Sequence, residues 1–570
     1  RGSVMTMAMT DVRAATGVPM TLHLVDLVLV GGKIWTGTED DASSPNQVSA
    51  IAIRDGRVVA AGTDDELAPL AAQAGRVVDL AGRRVLPGLI DSHIHAVRAG
   101  ASWDLSLHWE DVRSLAEGLR QIGARASALE PGQWISVVGG WHSRQLEEGR
   151  MPTRAELDAV APENPVFIQE LYDHGVVNSA GLAACGWDDS SADPAGGKLL
   201  RDAAGQVTGQ LIGMGAFAVP LALALAATPE QSYSGTRAMF REFAAHGLTG
   251  VADGGGLKMT PHDYHQLFKL WSDDALAVRV RLFISAWTRG GEVGDVAALT
   301  EFLHPGFGDR RLRVVGLGEI PHLSCHDMEG LDPFVLEQIA YDELVEIVRM
   351  CAQAGWPMSV HAVLEDSLSR VLDAWEQVER ETGGVAGRRF SIVHADQASE
   401  ESIKRIAALG AGVLVQNRFM LKSTDYREGW GAEAVRTAPP IGVMRAHGVT
   451  IGGGTDATRA NWFSPWASIW WLVTGQSIDG APPRDAEHLL SVEQALASYT
   501  RDAAWFTGEE GERGRLVPGY EADLVVPTLD PFECDVNDLR EIRSDLTIVG
   551  GAVTHASGEF SCLRPAVEVG

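Results

Sequence analysis

Cysteine is scarce: the 570-residue chain has five (Cys185, Cys325, Cys351, Cys534 and Cys562), and none forms a C-x-x-C pair. A disulfide framework and a cysteine zinc site are both unsupported. Basic residues are also few, 47 Lys plus Arg against 76 Asp plus Glu, for a formal net charge of −29. That field repels phosphate backbones and anionic lipid, which excludes nucleic acid and the membrane surface as expected partners. No apolar run reaches the roughly 18 residues of a transmembrane helix. The first twenty-odd residues lack a basic stretch followed by a long apolar run. Arg1-Gly2-Ser3 reads as a tag scar, and residues 1–23 as a flexible N-terminus outside fold reasoning. The expectation is a reduced, cytoplasmic protein.

What is present is an ordinary globular composition, 45% hydrophobic and 22% charged, at a length that favours one large domain plus a smaller one. Over residues 24–86, short β-rich runs alternate with turn signals: Val25–Val30 before Gly31-Gly32, Ala50–Ile53 before Asp55-Gly56, and Val77–Leu80 before Gly82. The pattern returns at Ala522–Val526 and Leu546–Val549. This predicts a small β-sandwich built from both chain ends, residues 24–86 and 510–570, the latter including a C-terminal tail.

Between them, apolar β-branched runs alternate with helical stretches such as Tyr341–Ala354, Glu365–Arg380 and Glu400–Ala408. The predicted strands are Val85–His95, Trp134–Val138, Gly250–Asp253, Val278–Ile284, Val314–Glu319, Met358–His361, Ser391–His394, Val413–Gln416 and Thr450–Asp456. Helix-separated, fully apolar strands numbering about eight predict an α/β architecture, a (β/α)8 TIM-type barrel over residues 87–509 with an insertion near 131–219.

Histidines and carboxylates fall at the ends of these strands. His93 and His95, two apart, point the same way from one strand. His361 and His394 each end a strand, and Asp456 ends another after Gly452-Gly453-Gly454-Thr455. Barrel sites lie at the C-terminal strand ends, so these five side chains are expected to converge. Imidazoles plus a carboxylate suit a zinc-type divalent ion with a position open for water.

Leu86-Pro87-Gly88-Leu89-Ile90-Asp91-Ser92-His93-Ile94-His95 resembles the first metal-binding strand of the amidohydrolase superfamily. V-H-A at 360–362, V-H-A at 393–395 and G-T-D at 454–456 resemble its fifth-, sixth- and eighth-strand positions. Gly514–Val526 is similar to the return into that superfamily's β-sandwich. Pro152–Asp158, Asn164–Phe167, Asn178–Ala180, Asp530–Phe532 and Leu546–Gly551 extend the resemblance to the YtcJ-like branch, which includes N-substituted formamide deformylases. The resemblance spans about residues 24–556. It implies one or two divalent ions, Zn2+ or another metal, on His93, His95, His361, His394 and Asp456, with Asp456 as general base and acid and His394 beside it in the catalytic set. It also implies a homodimer.

Two positions depart from the branch. Where relatives carry V-K-x-F-x-D-G, this chain has Arg313–Ile320 without lysine; Glu319 is either a bridging carboxylate in its place or a salt-bridged strand-end glutamate. Where relatives have Glu after T-G-x-L, Thr208-Gly209-Gln210-Leu211-Ile212 is followed by Gly213.

The expected reaction is hydrolysis of a C–N bond in a small amide- or formamide-like, apolar or aromatic substrate. Substrate contacts are expected from Trp141, His322, Asn417, Trp462 and Trp466, though the tryptophans also read as core. His142, His174, Cys325, His326 and Arg418 are further candidates at the mouth. The same site would serve deamination, cyclic-amide opening, or non-hydrolytic isomerase or lyase chemistry. A catalytically dead scaffold is the remaining alternative.

Overall fold

The computed structural model describes residues 23–38, 46–172, 174–257, 259–332 and 334–564. The N-terminal segment through residue 22 and the tail from 565 lie outside the described residues.

Eight parallel strands form the centre: β1 Leu89–Ile94, β2 Leu248–Asp253, β3 Arg279–Ile284, β4 Leu312–Leu317, β5 Ser359–Ala362, β6 Ser391–His394, β7 Gly412–Gln416 and β8 Thr450–Gly454. They pair in two four-stranded sheets, ordered β4-β3-β2-β1 and β5-β6-β7-β8. Backbone bonds stitch the sheets at both edges. On one side Leu317 N donates to Pro357 O at 2.9 Å and His361 N to Glu319 O at 3.0 Å. On the other, Asp456 N donates to His93 O at 2.9 Å and His95 N to Ala457 O at 3.0 Å.

The strands are buried almost throughout because both faces are covered. The covering helices are amphipathic: Glu365–Thr382 buries Leu368, Val371, Leu372, Trp375 and Val378 on one stripe. It stops at Gly383, whose φ of +63° suits a residue without Cβ. No helix among the described residues is long and apolar enough to cross a membrane.

The two chain ends build a four-stranded sheet (Arg57–Gly62, Ala50–Arg54, Val25–Val30, Ala74–Asp79) and a six-stranded one. The six-stranded sheet runs Ala552–Ala556, Ser544–Val549, Leu524–Pro527, Arg84–Pro87, Lys33–Trp35, Gln47–Val48. Leu29, Ile51 and Ile53 of the first share one buried cluster with Ile34, Val85, Leu524 and Ile548 of the second.

Three expectations need correction. The run 85–95 is two strands, not one: Arg84–Pro87 pairs with Leu524 and Val525, while Leu89–Ile94 pairs with β2. The break is at Gly88, where a Cβ would stand 2.2 Å from the Thr249 side chain. The segment 134–138 is not a central strand. Ile135–Val138 belongs to a separate six-stranded sheet, paired with Val166–Glu170 and Ser106–Leu107. That sheet begins at Ser106 and ends at Ile212, so the inserted material starts well before residue 131.

Candidate metal centre

The C-terminal ends of β1, β4, β5, β6 and β8 deliver six side chains to one place. His93 comes from within β1 and His95 from just past it; Glu319 lies two residues beyond β4; His361 and His394 come from β5 and β6; Asp456 follows β8 by two. All six are buried. His394 (φ +81°) and Asp456 (φ +56°) hold backbone conformations uncommon for non-glycine residues, a form of strain that gathers at functional sites.

Two of the imidazoles, those of His95 and His361, are oriented by acceptors on one ring nitrogen. His95 Nδ1 donates to Gly255 O at 2.8 Å, which leaves Nε2 facing Asp456 Oδ1 at 3.0 Å and Glu319 Oε1 at 3.4 Å. His361 Nε2 lies 2.9 Å from Asp327 Oδ1 and 2.8 Å from Met328 O, so Nδ1 is turned inward, 3.8 Å from Glu319 Oε2 and 3.0 Å from His394 Nε2. Asp327 is itself fixed by the Val363 and Leu364 amides and the Ser367 hydroxyl. Such outer partners orient metal-binding histidines.

His93 Nε2 and Glu319 Oε2 are 3.2 Å apart, yet both are buried without an acceptable hydrogen bond. An orphaned donor–acceptor pair inside a protein is costly unless something else satisfies it. Ligand atoms of His93, His95 and Glu319 all lie within 4.8 Å of one another, as do those of Glu319, His326 and His361. Charge tells the same story. Burial alone would raise the carboxyls of Glu319 and Asp456, but the facing imidazoles hold both well below the usual carboxylate range. Burial opposes charge on His93, yet Asp456 and Glu319 carry it up to about 10. The two carboxylates thus draw positive charge from histidine, the demand that a cation meets. Donor set, orphaned atoms and charge all fit a divalent ion.

Arg418 adds a fixed cation on the other side. Its Nη2 stands 2.9 Å from both ring nitrogens of His394 and 3.7 Å from Asp456 Oδ2, and Nε is 3.5 Å from Asp396. Burial and the Arg418 guanidinium together press the His394 imidazole well below its ordinary value.

His95, Glu319, His361, His394, Arg418 and Asp456 line a cavity of about 490 Å3, with His326 stacked on His361 at 3.7 Å between centroids. Apolar lining comes from Met214, Ala218 and Leu221 of the inserted segment and from Leu257, Ile320 and Met328. His174 borders an adjoining cavity.

None of the five expected substrate contacts lines the main cavity. Trp141 is buried in the inserted unit, its indole donating to Gln169 O at 2.9 Å and edge-on to Trp109. Trp466 is buried and donates to His246 O at 3.0 Å; it lies on the helix Pro465–Thr474, whose tryptophans pack into the core. Trp462 lies under the Arg113 guanidinium. Asn417 accepts from Asn461 Nδ2 at 2.7 Å, and His322 is held by Glu343 at 2.7 Å. In each case a neighbour already satisfies the polar atom or packs the ring. Among the other candidates, His142 is bracketed by Glu170 and Asp425, and burial pushes the Cys325 thiol up to about 12, which leaves it no nucleophile. Arg98, Tyr172, Asp327 and Arg459 are at or behind the cavity without having been anticipated. The available signal was position: Arg98 and Arg459 each follow a strand-end residue, His95 and Asp456, by three.

Comparison with known proteins places this architecture. Residues 76–555 match the model of a family described as the amidohydrolase family. The chain is 26% identical to the N-substituted formamide deformylase of Arthrobacter pascens, over 93% of this chain and 98% of that protein. It is 25% identical to the putative amidohydrolase YtcJ of Bacillus subtilis, over 92% and 98%. In three dimensions it is similar to an uncharacterised metal-dependent hydrolase from Pyrococcus horikoshii, with a TM-score of 0.65 at 21% identity, covering 90% of this chain and 99% of that one.

Proposed function

This chain belongs to the amidohydrolase family, in its YtcJ-like branch, and on that premise we propose that it hydrolyses the C–N bond of a small amide, formamides included. The observation that carries the reading is the convergence of His93, His95, Glu319, His361, His394 and Asp456, with His93 Nε2 and Glu319 Oε2 buried and unpartnered. We read the two stitched parallel sheets as halves of one (β/α)8 barrel, and the two sheets from the chain ends as a β-sandwich.

His93, His95 and Glu319 would hold one ion, zinc by the chemistry of the donors, with Glu319 shared toward His361 if a second is present. Bound there, such an ion supplies a Lewis acid for a carbonyl oxygen and brings the ionisation of water into the neutral range. Asp456 does the proton work. Its Oδ1, turned toward His95 Nε2, accepts the proton of the attacking water; the same carboxyl returns it to the departing nitrogen. Arg418 Nη2 faces Oδ2 from the other side at 3.7 Å and adds positive charge beside the carboxylate. The apolar wall of Met214, Leu221, Leu257 and Met328 excludes bulk water and accepts a hydrocarbon group.

The test is a panel of N-substituted formamides, N-acyl amines and cyclic amides, read by amine release, with metal measured on the same samples. Turnover that is lost on chelation and restored by Zn2+ is expected. Silence across the panel from metal-loaded protein, alongside turnover of a carbon–carbon-bond substrate, overturns the hydrolase reading.

A further inference from the structure

The chain is strongly acidic, yet three arginines, Arg98, Arg418 and Arg459, line its main cavity. Arg418 is accounted for by Asp396 and Asp456. The other two are not. Among the described residues neither Arg98 nor Arg459 forms an ion pair. Arg98 Nη2 is 3.4 Å from the Tyr172 hydroxyl, and the Arg459 guanidinium donates no hydrogen bond to a described residue. Both are placed by backbone rather than by a counter-charge. Arg98 lies on the short helix Ala96–Gly100 directly after His95. Arg459 O accepts from Gly140 N at 3.1 Å, and a Cβ on Gly139 would stand 2.4 Å from the Arg459 Cα, so the inserted segment clamps this turn.

Burial opposes the Arg98 charge, while Tyr172 and the cavity carboxylates Asp456 and Glu319 support it; those two carboxylates belong to the metal centre, and Arg459 stands beside Arg98 with no ion-pair partner among the described residues. Burial and the Arg98 charge bring Arg459 down to about 10, so the local environment disfavours the charge it must carry. An anion from outside the chain relieves that penalty. A guanidinium fork matches a carboxylate bidentately, and the neighbouring Tyr172 hydroxyl offers a further donor.

We infer that the substrate carries a carboxylate, held by Arg98, Arg459 and Tyr172, with its amide at the His93–Asp456 end and an apolar side chain against Met214 and Leu221. The inference rests on the hydrolase reading for which bond is cut. The substrate class is then an N-formyl or N-acyl amino acid. Water adds across the C–N bond, the hydroxyl stays on the acyl carbon, and the proton taken by Asp456 ends on the nitrogen, giving a free amino acid and a carboxylic acid.

Binding tests the anion site without turnover. Calorimetry on metal-loaded protein compares 3-phenylpropanoate with 3-phenylpropanamide, which match in size and differ in charge. The acid is expected to bind at least about tenfold tighter, as a charge-assisted pair predicts. Arg98→Met and Arg459→Met should each lower affinity for the acid at least about tenfold, with little change for the amide. Arg459→Lys retains part of the preference and stands in if the methionine variant does not fold. Equal binding of acid and amide, or an acid preference intact in both methionine variants at unchanged metal content, overturns the proposal; the latter marks binding to the metal alone. In turnover, N-formylphenylalanine should exceed N-(2-phenylethyl)formamide in kcat/KM by a similar factor. Hydrolysis of both formamides at equal kcat/KM, with no acid preference in binding, sinks the carboxylate site and leaves the hydrolase reading standing. An arginine-dependent acid preference with no hydrolysis of either does the reverse.

Discussion

Asp456 is faced by His95 Nε2 at 3.0 Å, His93 Nε2 at 3.6 Å and Arg418 Nη2 at 3.7 Å. A carboxylate so surrounded stays ionised at neutral pH and is well placed to receive a proton. Asp456→Asn keeps the shape and removes the base, so kcat should fall by about 10²–10⁴ while metal content holds, as steady-state rates and elemental analysis would read. Asp327 acts differently. It touches no expected ligand position except through His361, whose Nε2 it engages at 2.9 Å. Asp327→Ala leaves that nitrogen with Met328 O alone and removes the carboxylate that supports the ring, and should weaken metal binding about 10–100-fold in a chelator competition titration. The two aspartates also differ in how readable they were. Asp456 follows a glycine-rich strand by two residues, and it was its place in series with the histidines at the other strand ends that singled it out. Asp327 sits in the irregular stretch between β4 and the helix Gln338–Ala354, where no periodicity distinguishes it from Glu329 or Asp332. Arg98 and Arg459 offered only their position, three residues past His95 and Asp456, because beyond a strand end sequence pattern gives no direction to a side chain.

Strand β8 shows what sets an element's composition. Gly452, Gly453 and Gly454 are successive, and each is forced by a different neighbour. A Cβ on Gly452 would stand 2.5 Å from the Phe506 ring, on Gly453 2.3 Å from the Tyr499 ring, and on Gly454 2.8 Å from the His93 amide nitrogen. The strand has no room because Tyr499 and Phe506 and the β1 backbone press on it from both faces. Gly453→Ala overpacks a site whose obstacle is a fully buried aromatic ring, and should cost about 1–3 kcal/mol of stability in denaturant unfolding. At this scale the sequence was partly legible. Continuous apolar runs mark buried strands but carry no information on which sheet they join, so Ile135–Val138 read the same as β2 while pairing in the inserted sheet. Gly88 was ambiguous in the same way: a glycine inside an apolar run is silent about whether it bends a strand or divides it, and the close approach of Thr249 decides for division.

Across the whole molecule, the net charge of −29 conceals a buried set of ion pairs that joins the C-terminal part of the chain to its centre. Arg279, the first residue of β3, bonds Glu521 at 2.7 Å and Asp523 at 2.8 Å. Arg281 grips Glu509 with two bonds of 2.8 Å, and Arg513 bridges Glu509 at 3.1 Å and Asp523 at 3.3 Å. These groups gather toward the N-terminal end of β3, away from the C-terminal strand ends that deliver the six site residues. Removing one member of a buried set leaves the others charged and unpaired, so Arg279→Met should cost about 3–5 kcal/mol at neutral pH. The acid response gives a second reading. Burial alone would raise the Asp523 carboxyl, but Arg279 and Arg513 bring it down to about 2. A carboxyl depressed on folding stabilises fully above its unfolded pKa of about 4, and that contribution is lost as pH falls toward 2. Wild-type stability, followed by denaturant midpoints from pH 7 downward, should therefore drop steeply below about pH 4. In Arg279→Met the starting stability is lower and the slope in that window shallower, because the depression that acid titrates away is already diminished. Equal slopes in the two proteins would place the acid sensitivity in other carboxylates.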